Sequence, residues 1–170
     1  MTSVLLSVRP EWCQKIADGE KTIEVRKTKP KLKPPFKCYV YCTNPNTTDP
    51  HQRLSVKSGN GIVENCNGKV IGEFVCDYVQ GSYYPADGLV DVVDEKQSCL
   101  TAKQIIEYAN GKIVYFWHIS GFQLYDYPKP LGFFKHWMRF SYIWVHLVPI
   151  ARPPQSWCYV EESPPFEGGK

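Results

Sequence analysis

Lysine, glutamate and arginine recur at short spacings in GEKTIEVRKTKPKLK, residues 19–33, where six cations stand against two carboxylates. Lys21, Glu24 and Arg26 belong to a run in which Ile23 and Val25 alternate with polar residues. In an extended strand alternate side chains share a face, so Glu24 and Arg26 point the same way about 7 Å apart. Thr22 lies on that face and Lys21 stands at the strand's entrance. A carboxylate between two cations has two chemistries open to it. In a cleft it accepts from a ligand's exocyclic amine or takes a proton, while the cations hold phosphate. On an open surface it makes a salt bridge worth about 0–1 kcal/mol.

The charge around this run is concentrated. Residues 21–37 carry Lys21, Arg26, Lys27, Lys29, Lys31, Lys33 and Lys37 against Glu24 alone, a sum of +6 in a chain whose net charge is +3. Such a segment attracts phosphates through its field, or it is a solvated loop with no partner. A length of 170 residues with 43% hydrophobic and 14% aromatic residues suits one packed domain and excludes a disordered chain. We expect that domain to span residues 2–160, with 161–170 a frayed tail. No apolar run reaches the roughly 18–20 residues of a membrane span, and the basic-then-apolar pattern of a signal peptide is missing. A cytoplasmic protein with no membrane partner is the expectation.

Seven cysteines, an odd number, then read as free thiols. In KCYVYC, Cys38 and Cys42 would stand about 13 Å apart along a strand, too far to share a zinc ion, and no CxxC pair exists. Buried thiols and no metal or other cofactor are predicted.

The elements that must position Glu24 follow from pattern. Residues 4–8 read as a strand. Pro10 then opens a helix with Trp12, Cys13, Ile16 and Ala17 on one face, and Gly19 stops it in a left-handed cap. Residues 22–27 form a half-buried strand, and strands follow at 37–42 and 69–78. Between these two, residues 44–61 have no periodicity and are read as a long mobile loop. In LTAKQIIEYANG, Thr101 with Gln104 forms a capping box, Leu100 is placed to staple against Ile105, and Gly111 follows the end. KIVYFWHI and GFQLYDY are strand-like, with a turn or bulge at Ser120 and Gly121. Residues 132–148 fit neither period and are left as a helix or loop over the core. PPQSWCYV closes the chain as a strand. Short strands, few helices and no βαβ alternation predict an α+β, mostly β fold built as a small barrel with flanking helices.

Strand, then VRPEWCQKIADG, then GEKTIEVR closely resembles the ASCH (activating signal cointegrator homology) domain of the PUA-like superfamily. That family's motif is glycine, any residue, lysine, two residues, glutamate, any residue, arginine. Gly19, Lys21, Glu24 and Arg26 match all four places. GKVIGEFVCDYV, SCLT and RPPQSWCYV resemble phage- and bacterium-type members, carrying the likeness over roughly residues 2–160. The resemblance implies a PUA-like barrel with a motif-lined cleft beside the first helix, holding RNA or a modified nucleoside or nucleotide. It also raises two hydrolytic activities. Some small ASCH proteins deacylate a modified cytidine through a threonine at the position that is Glu24 here, assisted by the motif lysine. Others are ribonucleases, a role in which Lys21 and Glu24 would be the catalytic candidates and Arg26 would stabilise phosphate.

Further candidates surround the motif. Arg9 precedes the first helix and could reach the cleft. Gln155 and Ser156 could bond a base edge. Trp157 and Trp117 are either stacking platforms or core. His118 is a general-base candidate with no orienting partner visible in the sequence. The aromatics at 133–144 offer a third reading, a protein-interaction surface.

Overall fold

A computed structural model describes residues 2–45, 53–57, 63–85, 91–139 and 145–162. Its central strand is β1 (Ser3–Val8), buried along its whole length because both of its faces are covered. Val4, Leu6 and Val8 enter one hydrophobic cluster and Leu5 enters another. A strand covered on both sides reads as a continuous apolar run rather than an alternation, as VLLSV does. Helix α1 (Pro10–Ala17) follows, with proline in its first turn and Gly19 at φ +74° beyond its end. Next come β2 (Ile23–Arg26) and β3 (Phe36–Cys42), and β3 returns parallel to β1.

The remaining elements are β4 (Ser55–Lys57), β5 (Val63–Asn65), β6 (Lys69–Cys76), β7 (Val79–Tyr83), α2 (Val92–Ser98), α3 (Ala102–Ala109), β8 (Ile113–His118), β9 (Ser120–Pro130), β10 (Phe134–Arg139), β11 (Val145–Pro149) and β12 (Trp157–Glu162). Seven strands form one sheet in the order β11-β10-β12-β1-β3-β6-β9, and β2-β8-β7 form a second. Only Ile119 separates β8 from β9, so the chain turns directly from the small sheet into the large one. Gly121, at φ +60°, sits where the β6–β9 register shifts, which makes the predicted turn or bulge a bulge.

The fold is α+β and mostly β, as the pattern predicts, but the barrel is not closed. Among the described residues no ladder joins an edge of one sheet to an edge of the other. The gap is bridged by side chains: Cys13 and Ile16 of α1, Trp117 of β8 and the inward residues of β1 and β3 share one core. Ile23 and Val25 face a separate cluster with Ile105, Ala109, Val114 and Phe116. With those two apolar residues committed to α3 and β8, Glu24 and Arg26 are turned to the opposite side of β2.

Three expectations change. The 44–61 segment is not all loop: Ser55–Lys57 pairs with Val63–Asn65, and Leu54 is buried in the main core. Residues 46–52 and 58–62 lie outside the described residues. The 132–148 stretch is neither helix nor loop but, after a 3-10 turn at Leu131–Phe133, the antiparallel pair β10 and β11. Its pattern misled because Phe134 is buried while Trp137, Met138 and Leu147 are exposed, so apolarity there does not report burial. Residues 140–144 lie outside the described residues. Helix α2 was not anticipated, for VVDEKQS has too few turns to establish a helical period.

Cys13, Cys38, Cys42, Cys66 and Cys76 are buried and none is in a disulfide, and burial pushes the Cys76 thiol up to about 12. No helix among the described residues is long and apolar enough to cross a membrane.

Candidate functional site

The Glu24 carboxylate is buried, as are its two cations. Lys21 is 3% exposed, Glu24 7% and Arg26 7%. Arg26 Nη2 is ion-paired with Glu24 Oε1 at 2.9 Å, and Lys21 Nζ stands 3.4 Å from Glu24 Oε2. The surface salt bridge is therefore excluded: this is a desolvated triad. Each cation also ties down a second element. Lys21 Nζ donates to the Ser98 carbonyl at 2.6 Å, fixing the α2–α3 junction to β2, and it lies 5.4 Å from the centre of the Trp12 ring. Arg26 Nη2 donates to the Ser7 carbonyl at 2.7 Å, and Nη1 donates to the Ser156 carbonyl and hydroxyl at 3.3 and 3.2 Å. One guanidinium thus joins β1, β2 and the segment before β12, which suits a planar donor fork and not an ammonium.

Above this triad opens a cavity of about 700 Å³. Lys21, Glu24 and Arg26 contribute to its lining, Arg9 and Trp12 come from the start of α1, Leu100, Gln104 and Tyr108 from α3 and its approach, and residues 153–156 from the segment before β12. The capping box at Thr101, present with both of its hydrogen bonds, fixes where α3 begins and hence where Gln104 and Tyr108 stand. Burial pushes the Tyr108 hydroxyl up, opposed by the nearby Arg26 charge and aided by Glu24, so it remains a donor at neutral pH. Lys27 Nζ lies 4.9 Å from the centre of the same ring.

A carboxylate offers about four acceptor positions and an ammonium three donors. Glu24 turns one oxygen to each cation, and Lys21 spends one donor on the Ser98 carbonyl. Acceptor capacity on Glu24 and donor capacity on Lys21 remain for a ligand, beside aromatic surface from Trp12 and Tyr108.

The structure brings Arg9, Lys21, Glu24, Arg26, Gln155 and Ser156 together around one cavity. Thr22 is not among the residues that line it; its backbone instead bonds Gln97 and Ile119. Trp157 is also outside the lining, its indole donating to Thr28 Oγ1 at 2.9 Å while the ring packs on Trp117 and Tyr159. Trp117 is fully buried and is core, not a platform. His118 does have an orienting partner: its Nδ1 lies 2.6 Å from Asp77 Oδ1 and its ring stacks on Tyr78, away from the cavity. Sequence spacing missed that pair because its members are 41 residues apart. It also missed Trp12, Thr43, Gln104, Tyr108, Pro153 and Pro154 as lining residues. Gln104 and Tyr108 were accessible to reasoning, since i and i+4 on a helix share a face.

Among curated proteins, none matches the sequence. Solved structures of the ASCH protein from Zymomonas mobilis share the fold. The unsubstituted form is 17% identical with a TM-score of 0.53, covering 76% of this chain and 73% of that one. A single-residue variant of it is 16% identical with a TM-score of 0.59, covering 94% and 88%. The family model of the ASCH domain matches residues 6–112, which include the end of β1, α1, the whole triad and α3, and the chain therefore belongs to the ASCH domain family.

Proposed function

We propose that this protein is an RNA- or modified-nucleobase-binding module whose ligand occupies the cavity above Lys21, Glu24 and Arg26. The observation that carries the reading is the desolvated triad flooring an aromatic-walled cavity of about 700 Å³, within the size range of small-molecule sites. A base stacks on Trp12 or Tyr108 and donates an exocyclic amine to Glu24, while Lys21 and Arg9 meet oxygen or phosphate. A hydrolytic role for the same cavity has weaker support. Thr22, the nearest hydroxyl in sequence to the family's nucleophile position, is outside the lining. The Ser7 hydroxyl donates to the Pro154 carbonyl and that of Ser156 accepts from Arg26.

Titration of the purified protein with nucleoside monophosphates and a labelled single-stranded RNA tests the reading. Arg9→Ala and Gln155→Ala change exposed residues and should leave the melting temperature within about 1–2 °C while weakening binding at least threefold. Binding that is unchanged in both variants would contradict it. Acetylated cytidine should show no turnover; robust deacylation would favour the hydrolytic reading.

A further inference from the structure

Between Asp126 and Glu161 the chain has no carboxylate side chain and four permanent cations, Lys129, Lys135, Arg139 and Arg152. The β10–β11 hairpin lies within this stretch and carries the most exposed tryptophan of the described residues, Trp137 at 60%, across from Leu147 on β11. Neither the core nor the cavity uses that ring.

The hairpin's placement gives the ring a direction. Lys135 lies opposite Glu161 on β12, and residues opposite one another in an antiparallel pair share a face. Lys135 and Trp137 therefore stand on the face of β12 that carries Tyr159 and Trp157. That face leads to the cavity, since Ser156 lines it and Tyr159 is three residues, about 10 Å, further along. The basic 27–33 loop lies over the same face: the Lys31 backbone amide donates to the Tyr159 hydroxyl at 2.7 Å, and Thr28 accepts from Trp157. Cavity, basic loop and hairpin thus follow one another on one side of the molecule.

We propose that the β10–β11 hairpin is a second contact for a single-stranded RNA, with Trp137 stacking a base and Lys135 meeting a phosphate of the strand whose neighbouring nucleotide occupies the cavity. The proposal rests on the cavity reading and extends it from a nucleotide to a polymer. Charge complementarity selects the partner: Lys135 of the hairpin and Lys27, Lys29, Lys31 and Lys33 of the basic loop flank an exposed indole, and Glu161, the carboxylate opposite Lys135, already accepts from the Thr2 hydroxyl, a combination that matches a polyanion with stacking bases. An apolar protein surface would leave those cations unmatched.

The test compares Trp137→Ala, Trp137→Phe and Lys135→Ala with the parent protein, using a fluorescent 12-nucleotide single-stranded RNA and a nucleoside monophosphate at several salt concentrations. Trp137→Ala should weaken the RNA at least fivefold and Trp137→Phe should restore most of the loss. Lys135→Ala should reduce the magnitude of the log affinity against log salt slope by about 0.7. All three should bind the monophosphate as the parent does. RNA affinity unchanged in Trp137→Ala and Lys135→Ala overturns the proposal while monophosphate binding leaves the cavity reading standing. Loss of monophosphate binding in the parent defeats the cavity reading itself. Sedimentation that shows a dimer abolished by Trp137→Ala, with RNA binding intact, assigns the hairpin to self-association and also overturns the proposal. Melting temperatures verify that each variant is folded.

Discussion

Glu24 is held by a cation on either side, and this makes its substitution informative in two ways at once. Glu24→Gln keeps the shape and one acceptor oxygen but removes the charge that Lys21 and Arg26 share. The cations keep their carbonyl partners on Ser98, Ser7 and Ser156, so the protein should still fold, with a stability loss of about 3–5 kcal/mol for two buried cations left without their carboxylate. Ligand affinity should fall at least tenfold. Thermal melting and ligand titration on the same sample check both halves; a folded variant with unchanged affinity would make Glu24 a structural partner only. At this scale the sequence was informative about which residues and poor about their surroundings. Alternation with Ile23 and Val25 put Glu24 and Arg26 on one face, but the partners that bury them, Ser98 and Ser156, are 77 and 130 residues from the cations they hold. No local spacing reports such contacts.

Elements carry the triad's geometry, and α3 is the one most open to test. Thr101→Ala removes the side-chain acceptor of the Gln104 amide and one half of the capping box, which should cost about 0.5–2 kcal/mol. Because Gln104 and Tyr108 line the cavity, ligand affinity should weaken with it, and circular dichroism melts beside a titration measure the two effects. The β3–β6 pair supplies a pH test away from the site. Burial pushes the Glu73 carboxyl up, but bonds from Lys37 and Tyr125 outweigh burial and hold it below its ordinary value. A carboxyl depressed in the folded state stabilises above its unfolded pKa and loses that contribution as pH falls through its folded pKa. Glu73→Gln should therefore flatten the fall of melting temperature below about pH 4.5, and an unaltered acid limb would contradict the assignment. Elements with local signatures were legible: Pro10 and Gly19 bracket α1, and the capping box opens α3. Those whose apolar residues stay exposed, β10 and β11, were not, because periodicity identifies an element only when one face is buried.

At the scale of the whole molecule, three hydrophobic clusters hold the two sheets and the helices together. Open sheets joined by Ile119, rather than a closed barrel, leave room for the cavity between α1, α3 and the segment before β12. The mostly β class was readable from short strands and scarce helices, whereas closure depends on long-range ladders that a sequence pattern does not contain. The central claim is that the motif cavity is where a nucleic-acid base sits, and photo-crosslinking tests it most directly. A single-stranded RNA containing thiouridine is irradiated with the protein at low salt, and the adducts are located by mass spectrometry of the digested peptides. The account predicts adducts on peptides carrying Trp12 or Tyr108, lost when a nucleoside monophosphate competes. Adducts confined to surfaces remote from the cavity, such as the β9 edge, and unaffected by that competitor would contradict it.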